Sequence, residues 1–292
     1  MAGQTEEAVI EKARTAFPEI LHILTAPADV IEREYRGKTM PAKGKIRHKS
    51  IFGFRPGSSA HERTVRAPES LEGTNRYFYA SGWTDGLPII PPTEERLNAM
   101  IAASGWDPGL SLGLVAPMNG EATVEKIAVN AIMAGCGPDH LPVVIAATKA
   151  MIEERFNLYA LQTTTHLCTV LVVANGPVAE DLGINCSYNA MGQGSLANAV
   201  IGRAVRFILM NIGGALPGIL DRSTFGSPAK YTFCFAENEE ESPWEPLHVE
   251  RGFDPHHSAV TVVGAEGPHN VNDHGSASAE EVLLTVSGVL AT

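Results

Sequence analysis

The side chains able to do chemistry are gathered in a few loops rich in Gly, Asn and Pro. Met133-Ala-Gly-Cys-Gly-Pro-Asp-His140 sets Cys136 between two glycines. A thiol just ahead of a helix N-terminus is favoured as thiolate by free backbone N–H groups and the helix dipole. His140, four residues on, is placed to assist it as a base. Asn119-Gly-Glu121 offers a carboxylate and Gln162-Thr-Thr-Thr-His166 an imidazole, and both are read as acid–base candidates beside Cys136 and His140. Gly192-Gln-Gly194-Ser195 presents pliable backbone at the start of a predicted helix, an arrangement suited to a carboxylate or phosphate. Asn119, Asn175, Gly192, Gly194 and Ser195 are therefore the expected substrate contacts. The loop 264–275 holds the densest group of metal-ligand types, with Glu266, His269 and His274 as the expected set for a divalent metal. Its His-x4-His spacing matches no tight zinc signature, and a hydrogen-bonded polar loop is the competing reading. Arg203 and Arg206, inside the helix after Ser195, are read as partners of acids rather than of substrate.

These loops need elements to hold them. Three stretches follow one plan, in which a short apolar strand leads through a Gly/Asn loop into a helix rich in small residues. Their strands begin near Leu112, Thr169 and Ala259, and the helices end near Ala134, Asn211 and Leu290. The strands are β-branched and almost continuously apolar, as burial on both faces requires. The expectation is an α/β body of strand–loop–helix units, up to three of them similar. If those strands run parallel, their following loops share one edge. Glu121, His140, His166, Asn175, Glu266, His269 and His274 then meet in a single pocket. Further elements are a helix after Thr93, a helix after Asp139 and a strand over residues 159–165. Residues 237–248 read as an acidic loop stiffened by Trp244 and prolines.

The division expected is an N-terminal helix and basic extended arm over residues 1–76, then the α/β body over 77–292. Residues 5–24 carry a helical apolar period, with Pro18 as its break. Between Glu32 and Arg66 ten Lys or Arg face three Glu, so this stretch carries +7 and the remainder −18 of the formal −11. Such asymmetry predicts an arm lying across an acidic neighbouring subunit, hence a homo-oligomer. The net charge disfavours nucleic acid and anionic membrane as partners. No apolar run reaches the roughly 20 residues that span a bilayer. Four cysteines without close spacing read as reduced thiols in a cytoplasmic protein.

Six phrases carry a resemblance: SGWTDGLPIIPPT (81–93), NAIMAGCGPDHLPVVIAA (130–147), QTTTH (162–166), NGP (175–177), GQGSLANAVIGRA (192–204) and FAENEEESPWEPLHVERGF (235–253). Together they resemble a bacterial protein family associated with the small UGSC-motif (seleno)protein family. The resemblance covers roughly residues 77–275 and leaves out the basic arm. It implies thiol or selenol chemistry, a small redox partner protein and a chain that continues beyond Thr292. It assigns no catalytic residue, and this chain has no UGSC motif of its own. The sequence thus supports an enzyme acting on a small anionic metabolite by thiol- or His/carboxylate-assisted lyase, hydrolase or reductive chemistry, with or without a metal. The alternative is a non-catalytic scaffold or activating subunit of a UGSC-type partner.

Overall fold

The computed structural model describes residues 6–35 and 64–291. The chain divides into two units, Met1–Ile51 and Phe52–Thr292. In the first, α1 (Glu6–Thr25) runs through Pro18 without a break, and α2 (Ala28–Tyr35) follows. His22 Nε2 stands 2.7 Å from Glu34 Oε2 and ties the two helices. Most of the basic arm, residues 36–63, lies outside the described residues.

The second unit is mixed α/β. Its helices are α3 (Leu71–Ala80), α4 (Glu94–Ser104), α5 (Val124–Ala134), α6 (Leu141–Met151), α7 (Leu158–Thr163), α8 (Pro177–Asp181), α9 (Leu196–Asn211), α10 (Leu247–Glu250) and α11 (Ala279–Leu290). Its strands are β1 (Ser111–Val115), β2 (Gly120–Thr123), β3 (Thr169–Asn175), β4 (Cys234–Ala236) and β5 (Ala259–Ala265). Each strand foreseen from the sequence is followed in the chain by its helix, but the first of them lies in a different sheet from the other two. β1 and β2 form an antiparallel hairpin, while the other sheet has the order β4-β3-β5. β3 pairs parallel with β4 and antiparallel with β5, the latter from Thr169↔Ala265 to Asn175↔Ala259. That antiparallel pairing sends the loop after β3 to the opposite end of the sheet from the loop after β5. The segment expected as a strand over 159–165 is instead mostly α7, N-capped by Asn157, whose Oδ1 accepts from the Ala160 N–H.

Chain chemistry accounts for the helix ends. Thr93, Thr123 and Ser278 cap α4, α5 and α11 through their hydroxyls, each satisfying an N–H left orphaned at a helix start. Asp139, after which a helix is expected, lies in a 3₁₀ turn, and Pro142 occupies the first turn of α6. The core is made by α5, α6 and α9 around β3, through Ile127, Ala131, Leu141, Ile145, Val172, Ile201, Phe207 and Ile208. A polar bridge crosses it, where Asn211 Nδ2 donates to Asn130 Oδ1 at 2.7 Å and to Trp83 O at 3.1 Å. Trp83 stacks edge-on against Tyr77 and Phe78, so the 81–93 segment is fastened to both α3 and α9.

Candidate functional site

Helix α9 is apolar on nearly every face, which makes its two arginines conspicuous. Arg203 meets an acid, as the sequence reading expects. Its Nε and Nη2 bind Asp85 Oδ2 and Oδ1 at 2.7 and 2.9 Å, and Nη2 also donates to Pro88 O at 2.8 Å. Arg206 does not. It is 6% exposed, and its donors reach neutral acceptors: Lys230 O at 2.8 Å, Thr169 Oγ1 at 2.5 Å and Gln162 Oε1 at 3.4 Å. A guanidinium has five N–H groups, so three of them meet protein acceptors. Burial pushes this guanidinium below its ordinary pKa, against the opposing pull of Asp221. Asp221 is itself taken up by Lys230, whose Nζ lies 2.7 Å from both carboxylate oxygens.

Arg206 lines a cavity of about 930 Å³ with Asp85, Asp221 and Lys230 as its other charged residues. The wall is otherwise mainly apolar, with Leu167, Met210, Phe225 and Tyr231. Ser223 also lines it, and its Oγ is buried without a hydrogen-bond partner. With Arg203 and Asp85 cancelling, Arg206 and Lys230 outweigh Asp221 by one positive charge. An unmatched buried cation and a free hydroxyl lining one mostly apolar cavity are suited to an anion with an apolar body.

The rim carries imidazole and carboxylate. Because Thr169 pairs with Ala265, the residues just before β3 and just after β5 lie side by side. His166 Nε2 is 2.7 Å from Glu266 Oε1, and His269 Nε2 is 3.4 Å from Glu266 Oε2. The Thr224 N–H donates to Thr165 O at 3.0 Å. A Cβ on Gly267 would stand 3.3 Å from Ser227 Oγ. Both loops of the His–Glu–His group therefore abut cavity-lining residues. No protein-family model, curated protein or solved structure matches this chain. The geometry alone carries the functional argument.

The other expected site residues are dispersed. His140, Gly194 and Ser195 do come together, lining a second cavity of about 500 Å³ with Asp139 and Asn185. There His140 Nδ1 lies 3.0 Å from the Gly137 N–H and 3.1 Å from Asp139 Oδ1, and Ser195 Oγ donates to Asn198 Oδ1 at 2.6 Å. Gly192 is outside that lining. Asn119, with φ of 56°, forms the left-handed turn between β1 and β2, so turn formation is the role it shows. Glu121 is exposed on β2, in a different sheet from the rim. Asn175 is at the far end of β3. A single pocket holding all seven polar residues is thereby overturned, since β3 and β5 are antiparallel. His274 is exposed and outside the His–Glu–His group. Its neighbour Asp273 is engaged by the Ser276 hydroxyl, the Ser276 N–H and the Gly275 N–H, which hold its carboxyl well below the usual range. Among the described residues no three His, Cys, Asp or Glu side chains are grouped to hold a metal ion, so Glu266, His269 and His274 do not form the expected set.

Cys136 also departs from expectation. Its thiol is buried and donates to Val200 O at 3.4 Å. Burial pushes it far above an ordinary thiol pKa, with the Cys234 and Asp139 charges adding to the rise. Desolvation here outweighs any gain from a helix dipole. Cys234 is raised to about 12 by burial. Cys168 and Cys186 are only partly buried. Alkylation of the native protein should therefore label Cys168 or Cys186 first, leaving Cys136 and Cys234 unlabelled until unfolding. Peptide mapping over time reads this order, and early labelling of Cys136 would contradict the burial argument.

The sequence reading missed Lys230, Asp221, Ser223 and Asp85, and gave Arg206 the wrong partner. A signal for Arg206 was present. It is flanked by Ala204, Val205, Phe207 and Ile208, and a charge in so apolar a helix segment must be buried. The other four act through chain contacts that spacing does not encode.

Proposed function

We propose that this chain is an enzyme of small-molecule metabolism that takes a small anionic substrate with an apolar body into the Arg206 cavity. The observation that carries the reading is Arg206 itself, a buried cation that no carboxylate meets directly, in a cavity also lined by the unpartnered Ser223 hydroxyl. Arg206 and Lys230 fix the anionic group, and the apolar wall takes the rest of the molecule. His166 is the acid–base group, and Glu266, 2.7 Å away, orients its imidazole. That assignment favours lyase or hydrolase chemistry over thiol redox chemistry, because the buried thiols of Cys136 and Cys234 are held protonated. Four unpaired cysteines support a reducing compartment such as the cytoplasm. Among the described residues no helix is long and apolar enough to cross a membrane.

The test separates binding from turnover. Thermal shifts with a panel of aliphatic and aromatic carboxylates, phosphate and sulfate should identify ligands of the wild-type chain. Products formed from the best binders are then followed by mass spectrometry. His166→Gln should keep the thermal shift and lose roughly 10²–10⁴-fold in turnover, the usual share of a general acid–base group. Undiminished turnover in that variant removes His166 from the chemistry.

A second reading, a subunit that assembles with another copy or with a redox partner, has one observation in its favour. Helix α11 has no buried residue and exposes Leu283, Leu284 and Leu290. Solution mass of the chain alone, compared with Leu284→Glu, distinguishes self-assembly from a monomer.

A further inference from the structure

At the other end of β3 from the Arg206 cavity, the carboxyl ends of the parallel strands β3 and β4 hold a cluster that the proposed reaction does not use. Asn175 is 0% exposed. Its Nδ2 donates to Glu237 Oε2 at 2.5 Å and to Glu239 Oε1 at 2.8 Å. The Leu247 N–H binds the same oxygen of Glu237 at 2.9 Å, and the Gly176 N–H the same oxygen of Glu239 at 2.8 Å. The second oxygen of each carboxylate is unmet among the described residues. No Lys or Arg among them pairs with either acid. Two carboxylates drawn onto one amide nitrogen repel each other unless a positive charge joins them.

An independent observation points to a missing partner. His248 is 1% exposed. Its Nε2 lies 3.4 Å from Pro255 O, a group that only accepts, so Nε2 carries hydrogen. Its Nδ1 is left buried with no hydrogen-bond partner, 3.7 Å from Glu239 Oε1. Asn175 Oδ1 is likewise buried and unpartnered. Buried polar atoms are rarely left so, because an unmet one keeps its full desolvation cost.

Among the described residues no three His, Cys, Asp or Glu side chains are grouped to hold a metal ion. An ammonium is instead held by hydrogen-bond acceptors at about 2.7–3.2 Å, and this cluster offers carboxylate oxygens and an imidazole nitrogen 3.7 Å from one of them. We infer that Glu237, Glu239 and His248 form a binding site for a primary ammonium group on a small molecule. Its three N–H donors would meet the two carboxylates and His248 Nδ1. The site is distinct from the anion cavity: Arg206 touches Thr169, whereas this cluster starts at Asn175, six residues and about 20 Å along the strand.

The probe is methylammonium chloride, with tetramethylammonium chloride at the same ionic strength as control, since the latter has the charge but no N–H. Nuclear magnetic resonance follows the His248 imidazole and the Asn175 side-chain amide in the full chain. Methylammonium should produce saturable shifts of both signals, tetramethylammonium none. Glu239→Gln should bind methylammonium roughly tenfold or more weakly, as expected for losing a hydrogen bond to a charged group. The absence of saturable shifts with methylammonium overturns the inference, as does an equal response to tetramethylammonium. Saturation by manganese alone with methylammonium silent overturns it in favour of a metal. Should Glu239→Gln fail to fold, the two probes on the wild-type chain decide.

Discussion

Replacing Arg206 by methionine is expected to weaken carboxylate binding in the cavity by about 2–4 kcal/mol, roughly 30- to 1000-fold, as for truncation of a desolvated, hydrogen-bonded charge. Methionine keeps most of the volume and removes the cation. Two opposing terms then bear on stability. Lys230 O, Gln162 Oε1 and Thr169 Oγ1 lose donors, while the desolvation penalty of a buried guanidinium disappears. Their partial cancellation leaves a stability change much smaller than the binding change. Arg206→Lys is the informative companion. It restores charge but not the planar fork that satisfies three wall acceptors together, so affinity should return only in part. Titration calorimetry with the best carboxylate found for the wild-type chain measures all three proteins. Equal affinity in wild type and Arg206→Met would sink the anion site.

The contrast between elements and site explains what could be read from the chain. Local patterns located the elements well. The β-branched runs at Thr169–Asn175 and Ala259–Ala265 are strands, and Ser195 and Ser278 precede helices, because period and capping are properties of neighbouring residues. The run before His166 misled because Tyr159, Leu161 and Thr163 also suit a strand, whereas the Asn157 cap commits them to α7. Pairing direction is not local. Three apolar strands followed by helices imply a parallel sheet, yet β5 enters against β3, and that one reversal separates Asn175 from Glu266 while joining His166 to Glu266 and His269. The convergence of His166 with His269 was thus foreseen from a topology that does not hold. Cys136 illustrates a different limit. Its flanking glycines are visible in the sequence, but the desolvation that decides its protonation comes from the packing of α9, whose Val200 O accepts its hydrogen bond 64 residues away.

The largest effect on stability is expected at Arg203, one turn before Arg206. Asp85 keeps only 4% of its side chain exposed, against 16% for Arg203, so the acid depends on the arginine more than the reverse. Arg203→Met strands that carboxylate in the wall of the cavity. Breaking a buried pair from one side costs about 3–5 kcal/mol, which for a chain of this size lowers the thermal midpoint on the order of 10 °C. The same change frees Pro88 O and Leu87 O and removes the guanidinium from the Phe207 ring, 4.9 Å from its centroid. Asp85→Asn should cost less, because Arg203 retains both carbonyls and the ring. The double variant, Arg203→Met with Asp85→Asn, should be more stable than Arg203→Met alone, since a neutral amide replaces the stranded charge. Denaturant unfolding of the four proteins completes the cycle. A cost below about 1 kcal/mol for Arg203→Met would place the pair with weak surface bridges. A double variant no better than Arg203→Met would mean that the lost carbonyl and ring contacts, not the stranded carboxylate, set the stability. The cavity reading adds a consequence: Asp85 lines the anion site, so a carboxylate ligand should bind Arg203→Met more weakly than the double variant, because only the former leaves an uncompensated negative charge facing it.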